Sequence, residues 1–275
     1  MKELNFRTNI QCFEMAQKPV VLYEDHRSIL FALWHAKWVA ELLTKPHTLV
    51  TFDLHDDLRT PSSDVRKKAL NFRNGGDERE FYSFVEWEVG ALDDDWVIIA
   101  MDLGLVGDVI NVGAGDEEGG NLADPFVSIP DISETETSHR VWKLDHLWNA
   151  LAARGALRDI ARRDTLEPLW KTIGWDPEKL IFENNVSIIL DFDLDCFSIK
   201  GPDDCCRIAW PPEIMIDLFE RESDCGLSST QFIRRLRDES TIVTIAKESP
   251  YCGGTWQSEV ILDTLSRILF DDRLR

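Results

Sequence analysis

Along the chain, short apolar runs alternate with amphipathic stretches, the pattern that parallel βαβ units produce. Residues 19–23 (PVVLY), 48–52 (TLVTF), 96–101 (WVIIAM), 186–190 (VSIIL) and 241–246 (TIVTIA) read as strands. Residues 28–43 (SILFALWHAKWVAELL) have helical spacing, with Ser28 placed to cap the first turn. Further helices are expected over 80–92, 141–163, 212–221, 229–238 and 256–270. Residues 57–76 are polar with Pro61, Gly75 and Gly76, and 104–131 are rich in Gly, Asp and Glu, so both stretches read as loops. No internal repeat and no linker divides the chain. The expectation is one domain spanning residues 1–275, of class α/β, a three-layer α/β/α arrangement around a mostly parallel sheet.

Composition narrows the classes. At 275 residues and 44% hydrophobic content the chain is long enough to bury a real core. Thirty Lys and Arg against fifty Asp and Glu give a net charge of -20. Such a chain repels phosphate, so nucleic acid is not an expected partner, whereas a cationic substrate would be drawn inward. The ten tryptophans are read first as core residues. Cys12, Cys196, Cys205, Cys206, Cys225 and Cys252 form no CxxC pair, which argues against a zinc knuckle or a thioredoxin-like motif. The first residues lack the apolar core of a signal peptide, and no apolar run reaches membrane-spanning length. The expected compartment is the cytoplasm, with no membrane partner.

Two clusters carry the chemistry. Asp53-Leu54-His55-Asp56-Asp57 follows directly on the apolar run TLVTF. Alternate residues of an extended chain point the same way, so Asp53, His55 and Asp57 converge at a strand's C-terminal end, where open α/β sheets place their ligands. Asp191-Phe192-Asp193-Leu194-Asp195 follows the apolar run VSIIL in the same manner. Carboxylates gathered on one face repel each other unless something positive sits among them, and a divalent cation supplies that charge. Oxygen donors joined by imidazole favour Mn2+ over softer metals. His26 comes just after PVVLY, in Glu24-Asp25-His26-Arg27-Ser28, at a third strand's end. His35, His47, His139 and His146 are assigned no role.

Taken together, these residues resemble the arginase (ureohydrolase) superfamily. Asp53-Leu54-His55-Asp56-Asp57 is similar to its Asp-x-His-x-Asp motif, and Asp191-Phe192-Asp193-Leu194-Asp195 to its Ser-Phe-Asp-x-Asp motif. The segment around His26 is similar to its Gly-Gly-Asp-His-Ser segment, and the three come in the family's order. Within the superfamily the nearest likeness is to the peptide arginases, which convert arginine side chains of ribosomally made precursor peptides to ornithine and release urea. The resemblance implies an arginase-like fold and two Mn2+ ions per chain. It implies that His26, Asp53, Asp57 and Asp193 hold one ion and that Asp53, His55, Asp193 and Asp195 hold the other, with Asp53 and Asp193 bridging. Asp57 is then the implied proton shuttle to the leaving amine.

The chain departs from the family pattern on the substrate side. Asp191 stands where Ser is usual, Phe197-Ser198 replaces the usual Asp-Pro, and no histidine follows Asp57 in the next loop. The late acid that would meet the guanidinium is Glu248, after the run TIVTIA, or alternatively Glu259. The implied partner is therefore an arginine-containing precursor peptide rather than free arginine, and the acidic stretch with Asp116, Glu117, Glu118 and Asp124 is a candidate wall for its groove. Four other readings compete. A metallophosphoesterase would use Asp53-Leu54-His55 with Gly107-Asp108-Val109-Ile110-Asn111 and Gly120-Asn121, but Leu122 stands where a ligand His belongs. A haloacid-dehalogenase-type phosphatase would use Phe192 to Phe197. A hydrolase of another small guanidino compound would keep the same metals, and a non-catalytic acidic module would bind fewer than two ions.

Overall fold

A computed structural model describes residues 10–15, 17–55, 57–90, 95–112, 126–130, 138–144, 187–200, 207–220 and 229–274. Its strands are β1 (Gln11–Met15), β2 (Lys18–Tyr23), β3 (His47–Phe52), β4 (Val106–Val112), β5 (Phe126–Pro130), β6 (Ser138–Leu144), β7 (Ile188–Asp193), β8 (Ser198–Lys200), β9 (Arg207–Ala209) and β10 (Ser240–Ala246). Its helices are α1 (Ser28–Trp38), α2 (Ser63–Leu70), α3 (Glu78–Glu88), α4 (Trp96–Asp102), α5 (Pro212–Glu220), α6 (Ser229–Glu239) and α7 (Thr255–Leu269). Eight strands form one sheet in the order β1-β2-β10-β7-β3-β4-β6-β5, and β8 with β9 makes a separate two-stranded ribbon.

Within the sheet, β2, β10, β7, β3, β4 and β6 run parallel, while β1 and β5 close the two edges antiparallel. Side chains alternate between its faces. Val21, Leu49, Ile189 and Ile242 pack in one cluster with Ile29 of α1, Phe81 of α3 and Trp96 of α4. Val20, Val50, Leu190 and Val243 pack in the other with Met215 of α5, Leu236 of α6 and Leu265 of α7. Helices thus cover both faces, which explains why the central strands read as continuous apolar runs rather than as alternating ones. Just below the strand ends that carry the two acidic motifs, Phe52 of β3 stacks on Phe192 of β7 with ring centroids 5.0 Å apart. Such a pair contributes about 0.5–1.5 kcal/mol beyond its buried area, and it ties the two motif-bearing strands together.

Several expectations need correction. Residues 57–76 are not one loop, since α2 lies within them, started by Ser62, whose side chain accepts the Val65 N–H. Residues 96–101 are helical, not extended: α4 is buried on every side, from Trp96 to Asp102. An apolar run without a polar face has no period to read, and Val97, Ile98 and Ile99 bias it toward strand. Residues 104–131 are not one loop, since they include β4 and β5. The Gly107, Asp108 and Asn111 of β4 disguised a parallel strand. Residues 141–144 belong to β6 instead of a helix, while 145–163 lie outside the described residues, as do Asp116, Glu117, Glu118 and Asp124. Ser28 is the first helical residue rather than the cap. Arg27 is already in αR conformation at the cap position, and the backbone bonds Ser28 N–H to Asp25 O and Ile29 N–H to His26 O wind the chain into α1 without a side-chain cap. That helix stops at Trp38, short of residue 43, and Glu41 with φ 58° turns the chain away. Among the described residues no helix is long and apolar enough to cross a membrane.

Candidate metal centre

Four adjacent parallel strands, β2, β10, β7 and β3, end at the same edge of the sheet. Ala246 pairs with both Tyr23 and Asp193, and Phe52 pairs with Phe192. The segments that follow these ends carry His26, Glu248, Asp193 with Asp195, and Asp53 to Asp57. Residues far apart in the chain are thereby brought to one place, at the end of the strands where α/β sheets bind ligands.

All six residues expected to ligate metal meet there. His26 Nδ1 lies 3.0 Å from Asp57 Oδ2, 3.1 Å from Asp193 Oδ2 and 3.5 Å from Asp53 Oδ2. His55 Nδ1 lies 3.1 Å from Asp195 Oδ2 and 4.0 Å from Asp53 Oδ1. Two groups of donor atoms could hold a metal ion, His26 with Asp53 and Asp57, and Asp53 with His55 and Asp195. Asp53 belongs to both. His26, Asp53, Asp57, Asp193 and Asp195 are buried, while the His55 side chain is 44% exposed and marks the open side, where Tyr251 lies at 6.1 Å between ring centroids.

The backbone sets the direction of the carboxylates. Asp53 Oδ1 accepts the His55 N–H at 2.7 Å, Asp193 Oδ1 accepts the Asp195 N–H at 3.0 Å, and Asp195 Oδ1 accepts the Leu54 N–H at 3.4 Å. In each case one oxygen is braced and Oδ2 is left to face inward. Asp53 Oδ2 and Asp195 Oδ2 are buried and accept no well-directed hydrogen bond, having only the imidazole nitrogens of His26 at 3.5 Å and His55 at 3.1 Å beside them. Buried oxygens left unsatisfied in this way are costly unless something else meets them. A cation would do so, and the donor set of carboxylates and imidazoles fits a hard divalent ion. Among the described residues no thiol joins these groups: Cys252 is buried, its Sγ is directed to the Lys247 carbonyl at 3.2 Å, and burial with Asp193 and Asp195 beside it holds its thiol well above the usual range.

The proton affinities of Asp53, Asp193, His26 and His55 move in the same direction. Burial, then the neighbouring Asp57 and Asp193, raises Asp53 well above the carboxylate range. Burial, then Asp195 and Glu248, does the same to Asp193. Burial alone would lower His26, but Asp191 and Asp193 outweigh it and raise the imidazole. Burial likewise opposes His55, and Asp195 prevails, pushing it up to about 9. Protons collect where negative charge is concentrated, and a cation held among these groups would relieve the same repulsion.

Glu248 joins the cluster and Glu259 does not. Glu248 Oε1 accepts the His26 N–H at 3.0 Å, and burial foremost raises its carboxyl to about 7. Glu259 instead pairs with Lys247 at 2.8 Å, half-exposed on α7. Asp57 and Glu248 both have positive φ, 51° and 41°, an uncommon conformation for these residues that tends to gather at functional sites. Asp191 is turned away from the inward-facing oxygens and bonds His26 Nε2, Thr51, Thr244 and Tyr23. His35 and His47 are buried structural residues, beside Glu78 and the Lys45 carbonyl respectively.

Sequence reading missed several supports. Trp96 donates its indole N–H to Asp57 Oδ2, and its ring lies 4.8 Å from that of His26. Asn111 Nδ2 donates to the His55 carbonyl at 2.7 Å. Thr51 and Thr244 had a visible signal: each is a hydroxyl within an apolar run, two residues before the position that ends level with the site. No protein-family model matches the chain, and no curated protein matches it significantly.

Proposed function

We propose that this chain is a binuclear manganese hydrolase with an arginase-like fold. Its reaction converts arginine side chains of a precursor peptide to ornithine and urea. The observation that carries the reading is the pair of donor groups sharing Asp53 at four aligned strand ends. A shared carboxylate is what two ions held side by side require. Two divalent ions, when bound, supply Lewis acidity and lower the proton affinity of coordinated water.

The chain's own groups divide the remaining work. His26, Asp57, Asp53 and Asp193 would hold one ion, and His55, Asp195, Asp53 and Asp193 would hold the other. Hydrolysis adds water across the bond between the guanidinium carbon and the side-chain nitrogen, and the departing amine needs a proton. Asp57 carries it, held in place by Trp96. Glu248 accepts the guanidinium N–H groups: a carboxyl raised to about 7 by burial becomes an anion readily when a cation arrives beside it. Glu259, committed to Lys247, is the weaker candidate.

A peptide substrate is supported by the net charge of -20, which steers a cationic chain, and by the exposed His55 on the open side. The phosphoesterase reading is less well supported, because Asn111 is occupied with the His55 carbonyl. A cytoplasmic setting suits a maturation enzyme for ribosomal peptides. The experiment is to incubate the Mn2+-loaded chain with arginine-bearing peptides and with free arginine. Urea, and a peptide mass shift matching ornithine, are expected from the former. Phosphate release from phosphoesters without urea would sink the reading.

A further inference from the structure

Asp191 is a fully buried carboxylate that the proposed chemistry leaves without a task. It lies in the middle of the parallel sheet, in register with Thr51 on β3 and Thr244 on β10. Thr244 donates its hydroxyl to Asp191 Oδ1 at 2.6 Å, and the Tyr23 hydroxyl donates to the same oxygen at 3.3 Å. Thr51 donates to Oδ2 at 2.8 Å, and His26 Nε2 lies 2.9 Å from that oxygen. Both oxygens are thus fully engaged, on the side of the imidazole opposite to the one facing Asp53, Asp57 and Asp193.

We infer that Asp191 is a positioning residue that makes His26 a metal ligand through Nδ1. A neutral imidazole has one N–H; both ring nitrogens face carboxylates here, but those facing Nδ1 would be taken up by the cation, which leaves Asp191 as the acceptor that keeps the proton on Nε2. Asp191 therefore fixes the proton on Nε2 and turns the Nδ1 lone pair toward the inward-facing oxygens of Asp53, Asp57 and Asp193. Its negative charge also makes Nδ1 a stronger donor, as carboxylates behind ligating histidines do. The hydroxyls of Thr51, Thr244 and Tyr23 hold Asp191 in turn, so the ring is fixed by three neighbouring strands. The serine usual at this place in the resembling motif carries no charge and either donates or accepts. This chain thereby tunes one of its two ions more strongly than the other. The inference rests on the metal reading above.

The test is Mn2+ titration of the purified chain by calorimetry, comparing wild type with Asp191→Asn and Asp191→Ser. Both variants are expected to weaken one binding event by about 10–100-fold and spare the other. In a His26→Ala background, Asp191→Asn should add no further loss, because Asp191 acts through His26. Unchanged affinity in both variants, equal loss at both ions, or a further loss in the His26→Ala background would each overturn the assignment. Should the variants fail to fold, nitrogen NMR of the Mg2+-loaded wild type decides. Protonated Nε2 with bare Nδ1 on His26 is expected, and the opposite tautomer overturns it. A wild type that takes up no metal sinks the metal reading itself, whereas normal wild-type uptake with unaffected variants sinks only the role of Asp191.

Discussion

The indole N–H of Trp96 donates to Oδ2 of Asp57, joining the first residue of a buried helix to the last residue of the first acidic motif. The same oxygen lies 3.0 Å from His26 Nδ1. Trp96 therefore restrains a side chain that, on the proposed reading, both holds metal and moves a proton. Replacing it by phenylalanine keeps an aromatic ring in place but removes the donor and part of the buried volume. Trp96→Phe is expected to cost about 1.5–3 kcal/mol of stability, the range for a hydrogen bond to a charged group. Turnover should fall more than Mn2+ content does. Denaturant unfolding and metal analysis on the same sample check both, and unaltered turnover would remove Trp96 from the mechanism.

Asp53 is shared by the two donor groups, while His26 belongs to one. Asp53→Ala should therefore release both ions, and Asp193→Ala, on the bridging assignment, should do the same. His26→Ala should release one. Elemental analysis of the three purified variants distinguishes these outcomes. A chain with Asp53→Ala that still held two Mn2+ would dismiss the bridge.

Stability of the metal-free protein should depend on pH with a definite sign. Glu248 is raised from 4.5 to about 7, chiefly by burial, and His55 from 6.5 to about 9, burial being outweighed by Asp195. Both groups bind protons more tightly when folded. Each contribution is full below the unfolded value and is lost as pH rises through the folded one. Asp53, Asp193 and His26 shift in the same direction. The chelated protein should thus lose at least about 1 kcal/mol between about pH 5 and about pH 9, half-exposed His55 being left out of that figure. Saturating Mn2+ should flatten or reverse the slope. Urea midpoints measured with chelator and with Mn2+ provide the check.

Glu248→Gln keeps the shape and removes the charge offered to a guanidinium. KM for an arginine peptide should rise about tenfold or more, the effect of losing about 1.4 kcal/mol, with Mn2+ content unchanged. Glu259→Gln should leave KM as it was, since that side chain is engaged with Lys247 on the surface. The reverse pattern would exchange their roles.

The metal-binding candidates were legible because their chemistry is local. Asp53, His55 and Asp57, like Asp193 and Asp195, are spaced so that one strand end presents them together, and no other arrangement of the chain is needed to see it. His26 and Glu248 were legible only through their positions after apolar runs. What escaped was set by packing. Trp96 sits in a run with no polar face, so helix and strand look alike there, and its partner lies in a different segment. β4 escaped because polar residues interrupt its apolar pattern, among them Asn111, which is buried and holds the His55 carbonyl. The role of Asp191 was hidden for the opposite reason, since its neighbours in the motif point to metal and its true partners, Thr51 and Thr244, lie on other strands.

Strand order has a consequence for biosynthesis. Among the described strands β10 is the last to leave the ribosome, yet it occupies the slot between β2 and β7. Until it emerges, those two strands have no common neighbour, and His26 has no fixed path to Asp191 and Asp193. The nascent chain therefore keeps His26 apart from the two acidic motifs, which β3 and β7 can already hold side by side, until β10 has emerged. Pulse-labelled hydrogen exchange should find the amides of Asp191 and Thr244 becoming protected in the same kinetic step.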